Sequence, residues 1–408
     1  MIRLGVSVDG AVLRWWVGGS AVSLRAQVAY DAGAVAALSA EVVGLLARAT
    51  RDRKLAGRLR LELVRAGEAL FRALVPREVA GALGEGRKVP LTLELDESLL
   101  GIPWELLHDG REHLCRRFDL GRVVATAQVV RAPVRGLGGQ TLTMLAVLAD
   151  DGTLDAVAAE GEAIQRVADG RAGVSLRVRH GADAGTVASA LKDYDVVHFA
   201  GHGRFDAAEP ARSGWRLGEG AFTAADVAAL AGGRPMPALV FSNACQTSRE
   251  VAWTGAGVYG LASAFLLAGV RAYVGTQWDV VDGHSEVFAG AFYRALLDGR
   301  TLGAAVRKGR EAVVAANGED ALAWAAYVVY GDPAQVLWLP RASAGPPVPT
   351  PEDLSRRASL KSAPRRRVTL QAMKARAQTM PPLFVAAWVL VAAILTGAAV
   401  VGMLRLLK

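Results

Sequence analysis

Cysteine is nearly absent, with two in 408 residues, Cys115 and Cys245. That excludes a disulfide framework and favours a reducing compartment. Histidine is scarce as well, with six. No Cys-x-x-Cys and no His-Glu-x-x-His occurs, so no metal site is expected. The lack of a Gly-x-Ser-x-Gly elbow leaves a serine hydrolase of the α/β-hydrolase type without its nucleophile. An N-terminal apolar run is missing too, since Met1 to Asp9 alternates like a strand and not like a signal peptide. No cofactor is called for.

Charge is also sparse where it would matter for nucleic acid. The net charge is +8, but residues 351–380 hold eight basic and two acidic residues, and Arg405 and Lys408 add two more positive charges. The first 350 residues are therefore neutral overall, which argues against a nucleic-acid surface. With 52% hydrophobic and 21% charged residues, the chain can bury a large core. Residues 383–404 contain no charge at all. Twenty-two helical residues span about 33 Å, enough for a hydrocarbon layer of ~30 Å. Eight Lys or Arg before this run and two after it predict a single-pass tail anchor, with residues 1–380 in the cytoplasm by the positive-inside bias. The basic flank reads as a lipid-facing segment.

The sequence divides by rhythm. Residues 1–135 read as a smaller α+β subdomain, with short strands to about residue 30, a helix over Leu55–Leu74 and a strand over Val89–Leu95. Residues 136–340 alternate strands and helices, predicting a mostly parallel α/β sheet flanked by helices, with a last strand at Gln335–Leu339. Thr223 and Asp226 form a capping-box pattern at a helix start. Residues 341–381 are a Pro- and Arg-rich linker, and 382–408 the membrane tail.

Within the alternating part, two stretches carry chemistry: His198-Phe199-Ala200-Gly201-His202-Gly203 and Ser242-Asn243-Ala244-Cys245-Gln246-Thr247. Each follows an apolar run, so His202 and Cys245 fall just past strand ends, where a parallel sheet collects its functional groups. A thiol nucleophile and its general base need such proximity. Cys245 has polar neighbours, as an accessible thiolate requires. Cys115 has no such setting and reads as structural, and His198 reads as a core or supporting residue whose ring need not share a face with His202. Gly255-Ala256-Gly257-Val258-Tyr259-Gly260 matches a dinucleotide fingerprint, but it follows a polar loop and not a first strand, so close packing is the better use.

Together these residues resemble the CHAT family, bacterial caspase-like cysteine peptidases related to caspases and separases. His198–Gly203 matches the family's His-Phe-x-Gly-His-Gly, and Ala244–Thr247 its Ala-Cys-x-Thr. Further matches are Pro103-Trp104-Glu105-Leu106-Leu107, Trp278 with Asp282, and Gly331-Asp332-Pro333. The resemblance implies a caspase-like sandwich, Cys245 as nucleophile, His202 as general base and acid, and an oxyanion hole from the backbone N–H groups of Gly203 and Cys245. Caspase-like enzymes shape the S1 pocket partly from the strand after the nucleophile. Here that segment, Gln277 to Asp282 with Trp278, departs from the Pro that follows the Trp in many relatives. Asp282, or failing that Asp279, is expected to select a basic P1 side chain by ion pairing, the alternative being a loop acid or a helix N-cap before Ser285–Ala289. The expected protein is a membrane-anchored endopeptidase acting on a protein substrate, such as a pore-forming or stress effector. A non-catalytic caspase-like scaffold that docks partners at the membrane is the alternative.

Overall fold

Hydrophobic runs bounded by turns become the strands of one sheet. The structure, a computed structural model, describes residues 1–339 except 19–21, 52–54, 85, 128–132, 134, 136–140, 150–154, 207, 247–255 and 279–282. The side chains of residues 50, 51, 155, 245, 246 and 256–259 are likewise outside the described set. Met1–Ser343 forms one compact unit. The expected membrane span and its basic flank lie outside the described residues.

The chain opens with β1 (Ile2–Asp9), β2 (Val12–Gly18) and β3 (Leu24–Ala29) as an antiparallel meander. Helices α1 (Ala32–Arg51), α2 (Ala56–Leu74) and α3 (Arg77–Leu83) follow, then β4 (Pro90–Asp96), the short α4 (Leu114–Arg117) and β5 (Asp119–Ala125). The next stretch is β6 (Leu142–Ala149), α5 (Asp155–Ala168), β7 (Val174–His180), α6 (Ala184–Leu191) and β8 (Val196–Arg204). A small hairpin, β9 (Gly214–Arg216) and β10 (Ala221–Thr223), leads into α7 (Ala224–Ala229). The predicted capping box starts α7: Thr223 accepts from the Asp226 N–H and Asp226 accepts from the Thr223 N–H. Then come β11 (Leu239–Gln246), α8 (Ala256–Leu267), β12 (Ala272–Thr276), α9 (His284–Leu297), α10 (Leu302–Asn317) and β13 (Tyr327–Tyr330).

All thirteen strands belong to one mixed sheet with the order β10-β9-β8-β11-β12-β13-β5-β4-β1-β2-β3, and β6 and β7 branching from β8. Strands β7, β6, β8, β11 and β12 are mutually parallel, as strand–helix alternation requires. Strand β13 runs antiparallel to β12 and parallel to β5. The carboxyl ends of β8, β11 and β12 therefore share one edge of the sheet with the amino ends of β13, β5 and β4. Helices α5, α9 and α10 pack together over one face, and α8 lies on the other, where Phe265 meets Trp215 and Tyr273.

The last strand falls elsewhere than expected. No strand forms over Gln335–Leu339; the last strand is Tyr327–Tyr330, whose four residues are all buried, whereas Val336 and Leu339 are exposed. The sheet passes from β12 through β13 to β5, so the expected boundary at 135/136 falls between two strands of one continuous sheet. Helix α1, rich in Ala and Gly, is an addition. Its Ala32–Ala49 stretch is the one helix among the described residues long and apolar enough to cross a membrane, yet it buries Val35, Val42, Leu45 and Leu46 in the core.

Candidate active site

The site grows from two central strands. β8 and β11 are buried on both faces, which is why they read as continuous apolar runs. Their ladder is unbroken from Leu239 opposite Val196 to Gln246 opposite Gly203, and it sets Cys245 directly opposite His202. In a parallel ladder, residues in register project to the same face, with their backbones about 4.8 Å apart. Both lie within the last residues of their strands, slightly earlier than the sequence suggests. His202 is 8% exposed, and the Cys245 side chain is outside the described set. Gly201, between His202 and Ala200, has φ +156°, and a Cβ there would lie 2.9 Å from both the Cβ and the carbonyl oxygen of Ala149. Glycine is what lets β6 pack against the strand just beneath His202.

His198 is the buried supporting residue expected, and period-two alternation settles its face. Four residues from His202 on an uninterrupted ladder, it projects to the same face, two positions deeper with Ala200 between. There it stacks on Phe241 at 4.9 Å and its Nδ1 lies 3.1 Å from the Tyr293 hydroxyl. Its Nε2 lies 3.0 Å from Glu160 Oε1, a carboxylate–imidazole contact in which neither side chain is more than 3% exposed. Asn243 Nδ2 donates to both Glu160 oxygens at 2.8 Å. Burial, and then the nearby Glu160 carboxylate, push the Tyr293 hydroxyl well up, so it stays protonated and available as a donor. Thus α5 and α9 supply a buried polar layer, Glu160 and Tyr293, to the His198 and Asn243 positions of β8 and β11. Asn243 stands two residues before Cys245 and ties the end of β11 to α5.

That layer was not legible in the sequence. Glu160 lies 83 residues from Asn243 in a helix that reads as ordinary. Its one signal is an acid at a position the helical period assigns to the core.

The remaining candidates separate cleanly. Cys115 is fully buried, and burial pushes its thiol up to about 11 despite the nearby Arg310 charge, which fits a structural thiol. Trp278 is buried just past the end of β12, at the same sheet edge as His202. Asp279 and Asp282 lie outside the described residues. The backbones of Gly203 and Cys245 sit on adjacent strands, one register step apart. On the opposite face, a cavity of about 40 Å³ opens between Gly203, Ser213, Ala244, Tyr273 and Thr276, with Arg204 as the charged group in its wall. No cluster of His, Cys, Asp or Glu suited to a metal ion occurs among the described residues.

A family model for the CHAT domain matches residues 64–332. The chain belongs to the CHAT-domain family. Two of the matched motifs outside the His–Cys pair are packed into the fold. In the Pro103–Leu107 segment, Trp104 is fully buried and donates to the Leu99 carbonyl at 2.9 Å. Glu105, also fully buried, accepts from Arg122 Nε at 2.9 Å. In the Gly-Asp-Pro segment, Gly331 has φ +132°, and a Cβ would lie 2.9 Å from the Arg271 carbonyl oxygen.

Among solved structures, the CHAT chain is similar to one from the Saccharomyces cerevisiae separase–securin complex, with 18% identity and a TM-score of 0.40 over 60% of this chain and 16% of the matched one. The Arg-specific cysteine proteinase gingipain R aligns with 13% identity and a TM-score of 0.45, over 70% of this chain and 76% of its own. The complex of Porphyromonas gingivalis RgpB pro- and mature domains gives 12% identity and a TM-score of 0.42, over 74% and 77%. No curated protein matches.

Proposed function

We propose that this CHAT protein is a cysteine endopeptidase in which Cys245 is the nucleophile and His202 the general base and acid. The observation that carries the reading is the register of β8 and β11, which pairs the backbones of these two residues inside the family's domain. His202 takes the thiol proton as sulfur attacks the scissile carbonyl carbon, then gives it to the leaving amine. The thioester that forms is hydrolysed by water, with His202 acting as base once more. Backbone N–H groups of Gly203 and Cys245 stabilise the oxyanion, an effect worth about 3–4 kcal/mol per donor in comparable sites. Asp282 or Asp279, with Trp278, would select a basic P1 residue. The uncharged run at 383–404 and its basic flank support a single-pass anchor that holds the catalytic unit at the cytoplasmic side of a membrane, close to a membrane-directed protein substrate.

The test is co-expression of the chain with the products of neighbouring genes, comparing wild type with Cys245→Ala. The variant is expected to abolish cleavage while leaving the circular dichroism unchanged. Cleavage at the wild-type rate by Cys245→Ala would refute the peptidase.

A further inference from the structure

The overall neutrality of residues 1–350 hides one strongly basic place. A cavity of about 340 Å³ opens where α4 and the loop before β4 face α10, and six cations line it: Arg87, Lys88, Arg116, Arg117, Arg307 and Arg310. Glu112 and Glu311 are the two carboxylates in its wall. The volume is that of a small-molecule site.

Five of the cations are arranged in two tiers, and the sixth, Arg116, is paired with Glu319 at 3.0 Å. At the floor, Arg117 and Arg307 are neutralised by Asp109 and Asp119. Arg310 is 3% exposed, and its hydrogen-bond partners among the described residues are backbone carbonyls of Trp324, Cys115 and Tyr327, with no carboxylate. Three of its five N–H groups are thereby used, and a buried guanidinium without a counter-charge is costly to keep. At the rim, Arg87 and Lys88 are more than half exposed and make single contacts to Glu112 and Glu311 at 3.3 and 3.4 Å. Such exposed pairs contribute about 0–1 kcal/mol and exchange readily for a better anion. Lys88 is also the one non-glycine residue with positive φ among the described residues, at +54°, held by its N–H donating to the Arg117 carbonyl at 2.7 Å. That left-handed conformation costs about 1 kcal/mol or more, and such strain gathers at binding sites. Glu311 reports the local field: burial works against its charge, but hydrogen bonds from Lys308 and Arg307 hold its carboxyl down at about 2.

Position gives the cavity its meaning. Its walls flank the amino ends of β4, β5 and β13, which lie on the same sheet edge as His202 and Cys245. Helix α10 packs beside α9, on the face of the Glu160–Tyr293 polar layer. Strands β11 and β5 are three spacings apart, about 14 Å, the length of four or five extended residues.

We propose that this cavity binds a phosphate monoester, carried either by a small metabolite or by a phosphorylated residue of a peptide lying along the catalytic edge. Arg-rich, many-donor walls suit phosphate oxygens. Only the peptide source rests on the peptidase reading.

The test is calorimetric titration of the full chain, in wild-type and Cys245→Ala form, with inorganic phosphate, AMP, a phosphoserine hexapeptide and the same peptide unphosphorylated. Phosphate-bearing probes are expected to bind saturably and equally to both forms, so that a failed peptidase leaves this result intact. Reversing the rim with Arg87→Glu and Lys88→Glu, both solvent-exposed, with circular dichroism matching wild type, is expected to weaken binding at least about tenfold. Tighter binding of AMP than of the phosphopeptide assigns a metabolite, and the reverse order assigns a peptide. Absence of saturable binding, equal binding by the reversed rim, or equal affinity for the unphosphorylated peptide overturns the proposal.

Discussion

Replacing Glu160 by Gln keeps the side chain's volume and removes one acceptor from a closed polar layer. The carboxylate now takes two contacts at 2.8 Å from the Asn243 amide and one at 3.0 Å from His198. All three residues are at most 4% exposed, so water does not replace what is lost. A glutamine offers one oxygen, and its own N–H₂ must point at either the Asn243 amide or the His198 ring. Hydrogen bonds to a charged group contribute about 1.5–3 kcal/mol each, and a buried donor left unsatisfied costs about 1–3 kcal/mol. A loss of about 3 kcal/mol is expected, roughly a hundredfold in the folding equilibrium. Urea unfolding of the full chain in detergent, followed by the fluorescence of its nine tryptophans, reads the difference against wild type. Asn243→Ala closes a double-mutant cycle, and a coupling of at least about 1 kcal/mol is expected between the two positions. If Glu160→Gln unfolds within about 0.5 kcal/mol of wild type, the polar layer is not what fixes the end of β11.

Two further outcomes follow from single groups. Iodoacetamide at neutral pH is expected to alkylate Cys245 and spare Cys115, whose thiol is buried and raised to about 11; mass spectrometry showing Cys115 modified in the folded chain would contradict that burial. His113 is buried with its Nδ1 2.9 Å from the Leu106 carbonyl, and burial, the largest influence, lowers it to about 4. Above pH 6.5 the ring is neutral in both folded and unfolded chains and contributes nothing. Between 6.5 and 4 the unfolded chain alone takes the proton, so stability falls as pH falls, by about 3 kcal/mol in all. His113→Phe is expected to flatten that part of the pH–stability curve, and an unchanged slope would rule the residue out as its cause.

The parts legible in the sequence were those where local pattern and tertiary role coincide. Strands β8 and β11 are buried on both faces and so read as apolar runs, and that pattern by itself sets His202 and Cys245 at the ends of neighbouring elements. The Thr223–Asp226 cap is a contact three residues long and equally local. Strand β13 escaped because its Tyr-Val-Val-Tyr is shorter than a usual strand, and the nearby Gln335–Leu339 has the better apolar pattern. Nothing in that pattern tells which segment finds a free ladder edge. The face of His198 was left open because the glycine after Ala200 suggested a turn, whereas the ladder continues through it without a bulge. Glu160 and Tyr293 were invisible because their hydrogen-bond partners, Asn243 and His198, lie 83 and 95 residues away, and helical periodicity alone assigns them no chemistry.

The single step between Arg122 of β5 and Tyr330 of β13 has a consequence for how the chain is made. Arg122, fully buried and bound to Glu105, also lies 5.9 Å over the Tyr330 ring. Among the described residues, the strands before residue 126 and those between residues 142 and 276 meet only through β13, one of the last segments of the sheet to leave the ribosome. Until Tyr330 has emerged, translation yields two open half-sheets, each with a bare edge beside the join. The ribosome therefore delivers the thiol and the imidazole well before it delivers the strand that closes the sheet around them, and a growing chain spends that interval exposed to edge pairing with its neighbours.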